Sequence, residues 1–260
     1  MLKNHMLFSK SWLSLFLIIS FFNLSSAQIN SSVDTTHISQ NIKFNYKQLI
    51  VPSLLIGYGI VGLESDKIKE WNLGIRNEVV EDIDNKLTID DFMQYAPAVS
   101  VYALNNLGIK GKNNLKDRSI VLGTSMVFVF ATVTTLKKIT KVERPDASNF
   151  DSFPSGHTAL AFAGAEFLYQ EYKDVSIWYG VSGYVAATAT GAFRIYNNKH
   201  WLTDVAAGAG IGILSTKAAY WLQPYISKHI FGASKNKGTG ALFSPYYDGK
   251  QIGGSFVMTF

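Results

Sequence analysis

The stretch SIVLGTSMVFVFATVTTLKKITKVERP, residues 119–145, decides the reading of the fold. Residues 119–137 form an apolar run of helical length. The run closes on Lys137, Lys138, Lys141 and Arg144 before Pro145. Cations suit the negative end of a helix macrodipole. Proline ends the helix and biases the residue before it towards an extended conformation. A plain basic helix end accounts for these cations, and so does convergence of Lys137 and Arg144 on one anion. Working outward, further apolar stretches of helical length lie at 47–63, 92–108, 158–172, 175–192 and 203–223. In the charged stretch 64–91, Ile68, Trp71, Ile75 and Val79 recur at helical spacing, which predicts an amphipathic surface helix despite Gly74. Thr88 reads as an N-cap with Asp90 and Asp91 in the first turn, and 106–116 reads as a loop. After Gly232 the composition turns polar and glycine-rich. Leu242 to Tyr247, Asp248-Gly249 and Ile252 to Phe260 predict a β-hairpin. The remainder reads as all-α.

The chain of 260 residues fits one domain with small appendages. It contains no cysteine, which excludes disulfides, thiolate metal sites and a cysteine nucleophile. A formal charge of +5 without a long Lys/Arg run interleaved with aromatics gives nucleic-acid binding no support. A few well-placed cations for an anionic substrate suit that charge equally well. The hydrophobic fraction is 47%, yet the mean hydropathy is only +0.09, low for a chain mostly embedded in lipid.

Residues 1–27 read as a signal peptide. Lys3, His5 and Lys10 form a basic head, Trp12 to Leu24 is apolar, and Ser25-Ser26-Ala27 offers small residues at cleavage spacing. The alternative is an uncleaved anchor. Residues 28–46 read as a mobile lead-in, 47–230 as the helical domain and 231–260 as the tail. Export to the periplasmic side of a cell envelope follows. The stretches 51–63 and 158–168 are short for membrane spans and better suited to core helices. If residue 28 were outside and 47–63 and 92–108 crossed, the basic loop 108–118 would return outside, against the preference of Lys110, Lys112, Lys116 and Arg118 for the inner face. A third crossing would put Lys137 and Arg144 inside. A soluble or surface-bound bundle removes the conflict, and this is the favoured expectation. A leader left uncleaved in the cytoplasm also removes it.

Two more segments carry polar chemistry. Pro154-Ser155-Gly156-His157 leads into an apolar helix, where free backbone N–H groups and the helix dipole favour an anion. An ordinary N-cap explains the same residues. Arg194, His200 and Asp204 follow at spacings of six and four. A carboxylate on one imidazole nitrogen fixes the tautomer and leaves the other free to attack. A surface His–Asp pair is the bland reading. One histidine and one carboxylate make a poor metal site, so no metal is assigned. Together the three segments hold what metal-free phosphoryl transfer requires: charge clamps, a nucleophile and a general acid.

Lys137-x6-Arg144-Pro145, Pro154-Ser155-Gly156-His157 and Arg194-x5-His200-x3-Asp204 resemble, in order and spacing, the motifs of the type-2 phosphatidic acid phosphatase and vanadium haloperoxidase superfamily. Phe193 stands where that family has serine. The resemblance covers roughly 92–223. It implies a helical bundle, six-helix-type given the six apolar stretches, with the short C-terminal β-hairpin outside it. It implies that His200 attacks phosphorus, that Asp204 orients it, and that His157 protonates the leaving oxygen and then activates water. Lys137, Arg144, Ser155, Gly156 and Arg194 would bind the phosphate, with no cofactor. The implied function is a phosphatase acting on a phosphorylated lipid or a small phosphate ester or pyrophosphate at a membrane or its surface. A vanadium-dependent haloperoxidase and a non-enzymatic envelope protein are the alternatives.

Overall fold

The computed structural model describes residues 45–80, 88–229, 240–247 and 252–259. The expected leader, nearly all of the lead-in and the Asp248-Gly249 turn lie outside the described residues. Eight α-helices occur among the described residues: α1 (Ile50–Glu64), α2 (Asp66–Val80), α3 (Asp90–Met93), α4 (Ala96–Asn106), α5 (Leu115–Thr140), α6 (Gly156–Tyr172), α7 (Ile177–Tyr196) and α8 (Leu202–His229). Each of the six apolar stretches carries one helix. The charged stretch adds α2 and α3, so the helix count is eight rather than six. Strands β1 (Gly240–Tyr247) and β2 (Ile252–Thr259) pair antiparallel, with Gly240 opposite Thr259 and Tyr247 opposite Ile252.

Local chemistry sets the helix ends. Asn114 caps α5 by accepting from the Asp117 N–H, and Lys141 in the left-handed region (φ 48°) turns the chain away after Thr140. The N-cap expected at Thr88 is not made: Ile89 holds that position without a side-chain cap bond.

α6 is the central helix, packed most extensively against α7 and α8. Its buried face is rich in small residues, including Ala159, Ala161, Ala163, Gly164 and Ala165. α8 meets it with another small-residue face. A Cβ on Gly212 would collide with the Ala159 carbonyl and lie 2.8 Å from the Ala163 nitrogen, so only glycine permits this backbone approach. Charges buried in α6 are paired. Glu166 meets Lys217 at 2.6 Å, Gln170 and Tyr184, while Glu171 meets Asn113, Tyr220 and Arg118. The expectation that 158–168 lies in a core helix therefore stands, Glu166 included.

α1 corrects the same expectation for 51–63. It buries Pro52, Gly59 and Gly62 and turns Ile50, Val51, Leu54, Ile60 and Val61 outward. Its small residues are needed against α8, so the large ones are left on the outer face. The segment from Tyr46 to Glu64 and α5 are both long and apolar enough to cross a membrane. Only 17% and 28% of their apolar windows are buried, unlike core helices.

The helices share two ends. Gly62 near the end of α1 abuts Thr203, and the Ser155 N–H donates to the Asp204 carbonyl, so the ends of α1 and α5 and the starts of α6 and α8 lie together. At the other end, the Tyr172 hydroxyl donates to Val101 and Ile109 carbonyls and the Lys112 N–H to the Glu171 carbonyl. The basic loop 107–114 is thus at the end opposite Arg144, His157 and His200.

Candidate active site

Each motif spans a helix terminus, and the terminus explains its spacing. Beyond α7, Asn198 takes a left-handed conformation (φ 56°), and the Lys199 and His200 N–H groups both donate to the Arg194 carbonyl. This hook brings His200 back beneath Arg194. His200 precedes α8 rather than lying on it, so His200 and Asp204 do not share a helical turn. Instead Asp204 lies in the first turn of α8, and its Oδ2 accepts from the Trp201 N–H at 2.9 Å and the Ser152 hydroxyl at 2.5 Å. His200 Nδ1 lies 3.5 Å from the same oxygen. That contact is long for a hydrogen bond, and among the described residues neither Nδ1 nor Asp204 Oδ1 has a hydrogen-bond partner. Catalytic contacts of this length commonly tighten when substrate binds. Both side chains are almost wholly buried.

Beyond α5, the chain reverses through Lys141, and the Arg144 N–H donates to the Asn149 carbonyl. Arg144 grips the Asp151 carboxylate with two bonds, at 2.7 and 3.2 Å, and Lys137 donates to the Asp151 carbonyl. The two cations thus converge on one acidic residue. Ser155 caps α6. Its side chain is fully buried and pairs with the Thr158 hydroxyl at 2.8 Å.

Lys137, Arg144, Gly156, His157, Arg194 and His200 line one cleft of about 390 Å³, together with Thr88, Asp90, Asp91, Asp151, Asn197 and Lys199. Of the residues expected to form the site, Ser155 and Asp204 do not line it. Phe193 sets its ring edge-on to Tyr196.

The acids were not legible as site residues. Asp90 receives Arg194 at 2.5 Å and Asn197 at 3.1 Å, and Asp91 Oδ1 sits 3.0 Å from His157 Nε2. In sequence these residues form the polar start of a short helix, and an N-cap reading absorbs them. The only available signal was their position just ahead of an apolar stretch. Asp90, Asp91 and His157 each bring a ligand atom within 4.8 Å of the others, a set able to hold a cation, although Asp90 is already engaged by Arg194 and Asn197.

Electrostatics follow from this crowding. Burial, with Lys137 and Arg194 nearby, pushes the His200 imidazole down to about 4 against the opposing pull of Asp204. Burial alone would raise Asp151, but the Arg144 bond and the charges of Lys137 and Arg144 outweigh it and hold the carboxyl below its usual range. A neutral, buried imidazole backed by a carboxylate, facing a cationic cleft, is an arrangement suited to nucleophilic attack on a phosphate.

Residues 118–228 match the model of the PAP2 superfamily. Within this stretch fall all three motifs. Among named proteins, the chain is 37% identical over 139 residues to the lipid A 1-phosphatase of Porphyromonas gingivalis, covering 53% of this chain and 31% of that one. It is 30% identical over 128 residues to the bacitracin transport permease protein BcrC of Bacillus licheniformis, covering 43% and 60%. The chain therefore spans less than two thirds of either relative. A crystal structure of a transmembrane PAP2-type phosphatidylglycerolphosphate phosphatase from Bacillus subtilis is also similar, with a TM-score of 0.48 and 23% identity over 71% of this chain and 100% of that one.

Proposed function

We propose that this protein is a metal-independent phosphatase that removes phosphate from a phosphorylated lipid through a phosphohistidine on His200. The observation that carries the reading is the convergence of Lys137, Arg144, Arg194, His157 and His200 on one cleft, with Asp204 buried behind His200. The name of the Porphyromonas gingivalis relative supports a lipid phosphate as substrate.

In this reading Lys137, Arg144, Arg194 and the Gly156 N–H hold the phosphoryl oxygens, and the Ser155 hydroxyl joins them if it leaves its Thr158 partner. The phosphate competes with the Asp90 and Asp151 carboxylates for Arg194 and Arg144. His200 Nε2 attacks phosphorus while Asp204 holds Nδ1. The bond to the leaving oxygen breaks with its electron pair, and His157 supplies the proton to that oxygen. Water then attacks the phosphohistidine as His157 takes its proton, and the P–N bond breaks to restore His200.

The finer architecture belongs to the same proposal. The six helices of the apolar stretches would form a membrane-embedded bundle, with α2 and α3 lying over the site end. The outward apolar residues of α1, with Val127 and Phe130 on α5 and Trp178, Val181 and Val185 on α7, support it. The cleft would face the periplasm and the basic loop the cytoplasm. This places the first described residues inside, the second of the two ways out of the topology conflict. The antiparallel register of β1 and β2 supports a tail hairpin distinct from the helical domain of 47–230.

The deciding experiment is phosphate release from p-nitrophenyl phosphate and short-chain phosphatidate in the presence of EDTA. Wild type releases phosphate and His200→Ala does not. Unchanged turnover in the variant overturns the mechanism, and dependence on added vanadate with halide oxidation would favour the haloperoxidase reading.

A further inference from the structure

We infer that Asp91 is a positioning residue for His157, holding its Nε2–H so that Nδ1 is the nitrogen that exchanges a proton with the substrate. This rests on the phosphatase reading above. Asp91 Oδ1 lies 3.0 Å from His157 Nε2, across 66 residues of sequence. The carboxylate is delivered by a pinned backbone. Neighbouring Asp90 is buried and tied to Arg194 and Asn197, the Asp91 N–H donates to the Thr88 carbonyl, and the Gln94 side chain donates to the Asp91 carbonyl at 2.8 Å.

The charge around His157 gives this contact a task. Arg194 of α7 and the two acids of α3 act on its ring. Lys137 of α5, Arg144 and Asp151 of the following loop, and Lys199 and His200 beyond α7 line the rest of the cleft. A cradle built to bind phosphate is cationic, and cations disfavour the imidazolium that a general acid must be. Asp90 and Asp151 are each spent on an arginine. Among the described residues Asp91 makes no such pair with an arginine or lysine, and it is the carboxylate in contact with the acid's ring. An exposed ion pair alone contributes little to stability. Here its effect falls on ring orientation and on the proton His157 gives away.

The test compares kcat/KM, which reports the first chemical step, for a poor leaving group (short-chain phosphatidate) and a good one (p-nitrophenyl phosphate). The full chain is used as wild type, Asp91→Asn and Asp91→Glu. Phosphatidate needs the proton, whereas p-nitrophenolate leaves without it. Asp91→Asn is expected to lose roughly 100-fold on phosphatidate. Its loss on p-nitrophenyl phosphate should be at least tenfold smaller, the alkaline limb with phosphatidate should move to lower pH, and Asp91→Glu should recover part of the loss. Equal losses on both substrates, an unmoved limb, or a gain in rate (as expected if Asp91 merely blocks the cleft) would each overturn the proposal. A wild type inactive on both substrates, or an active His200→Ala, overturns the phosphatase reading itself.

Discussion

At the scale of single residues, the decisive feature is a buried neutral histidine. His200 is held down to about 4, against an unfolded value near 6.5. In the proposed mechanism attack requires the unprotonated ring, so the acid limb of the pH–rate profile should lie near pH 4 rather than 6.5. A limb near 6.5 would show that His200 is not buried in the working enzyme. The same depression makes folding pH-dependent. The unfolded chain binds this proton first, so the contribution of His200 to stability is complete above about pH 6.5 and is lost as pH falls through 4. Asp204→Asn keeps the shape but can turn an amide NH₂ towards the Trp201 N–H, and it removes the charge that the proposed mechanism uses to hold His200. We expect a loss of roughly 1,000-fold in kcat, measured on p-nitrophenyl phosphate, with KM changed much less. The histidines, arginines, Lys137 and Asp204 were legible because each motif lies around one helix terminus. The companion acids were not, because Asp90 reaches Arg194 across 104 residues. No local pattern encodes that pairing.

At the scale of elements, glycine separates close packing from open helix. Gly212 on α8 has the α6 backbone against it, whereas a Cβ on Gly123 of α5 meets nothing within 4 Å. Gly212→Ala must push α8 from α6, with a cost of roughly 2 kcal/mol or more. Gly123→Ala should stabilise by about 0.5–1 kcal/mol, because alanine loses less freedom in a helix interior. Thermal unfolding in detergent would read both, and a neutral Gly212→Ala would contradict the packing described. Most helices were legible from apolar runs and their ends from capping residues. Which face of a helix is inward was not. α1 shows why: its inward face is set by the small residues of α8, so its large side chains point away.

At the scale of the whole molecule, the arrangement predicts sidedness. The chain has no cysteine, so single cysteines report cleanly. Phe150→Cys at the cleft end should react with a membrane-impermeant thiol reagent in spheroplasts. Lys116→Cys at the basic end should react only after permeabilisation. Labelling of both in intact spheroplasts, or release of the protein by carbonate, would contradict an integral bundle. A low mean hydropathy had pointed towards a soluble or surface-bound bundle. Averaging over charged loops and tail hides how apolar the outward faces of α1, α5 and α7 are.

The sequence by itself determined the helical class, the three motifs and their residues, since these depend on neighbours within a turn or two of a helix end. Tertiary structure alone decided that the motifs meet in one cleft, that Asp90 and Asp151 pair with its arginines while Asp91 meets His157, and that the basic loop lies at the other end. Those facts depend on contacts between distant segments. Close packing of small-residue faces fixes them, and no local periodicity reports it.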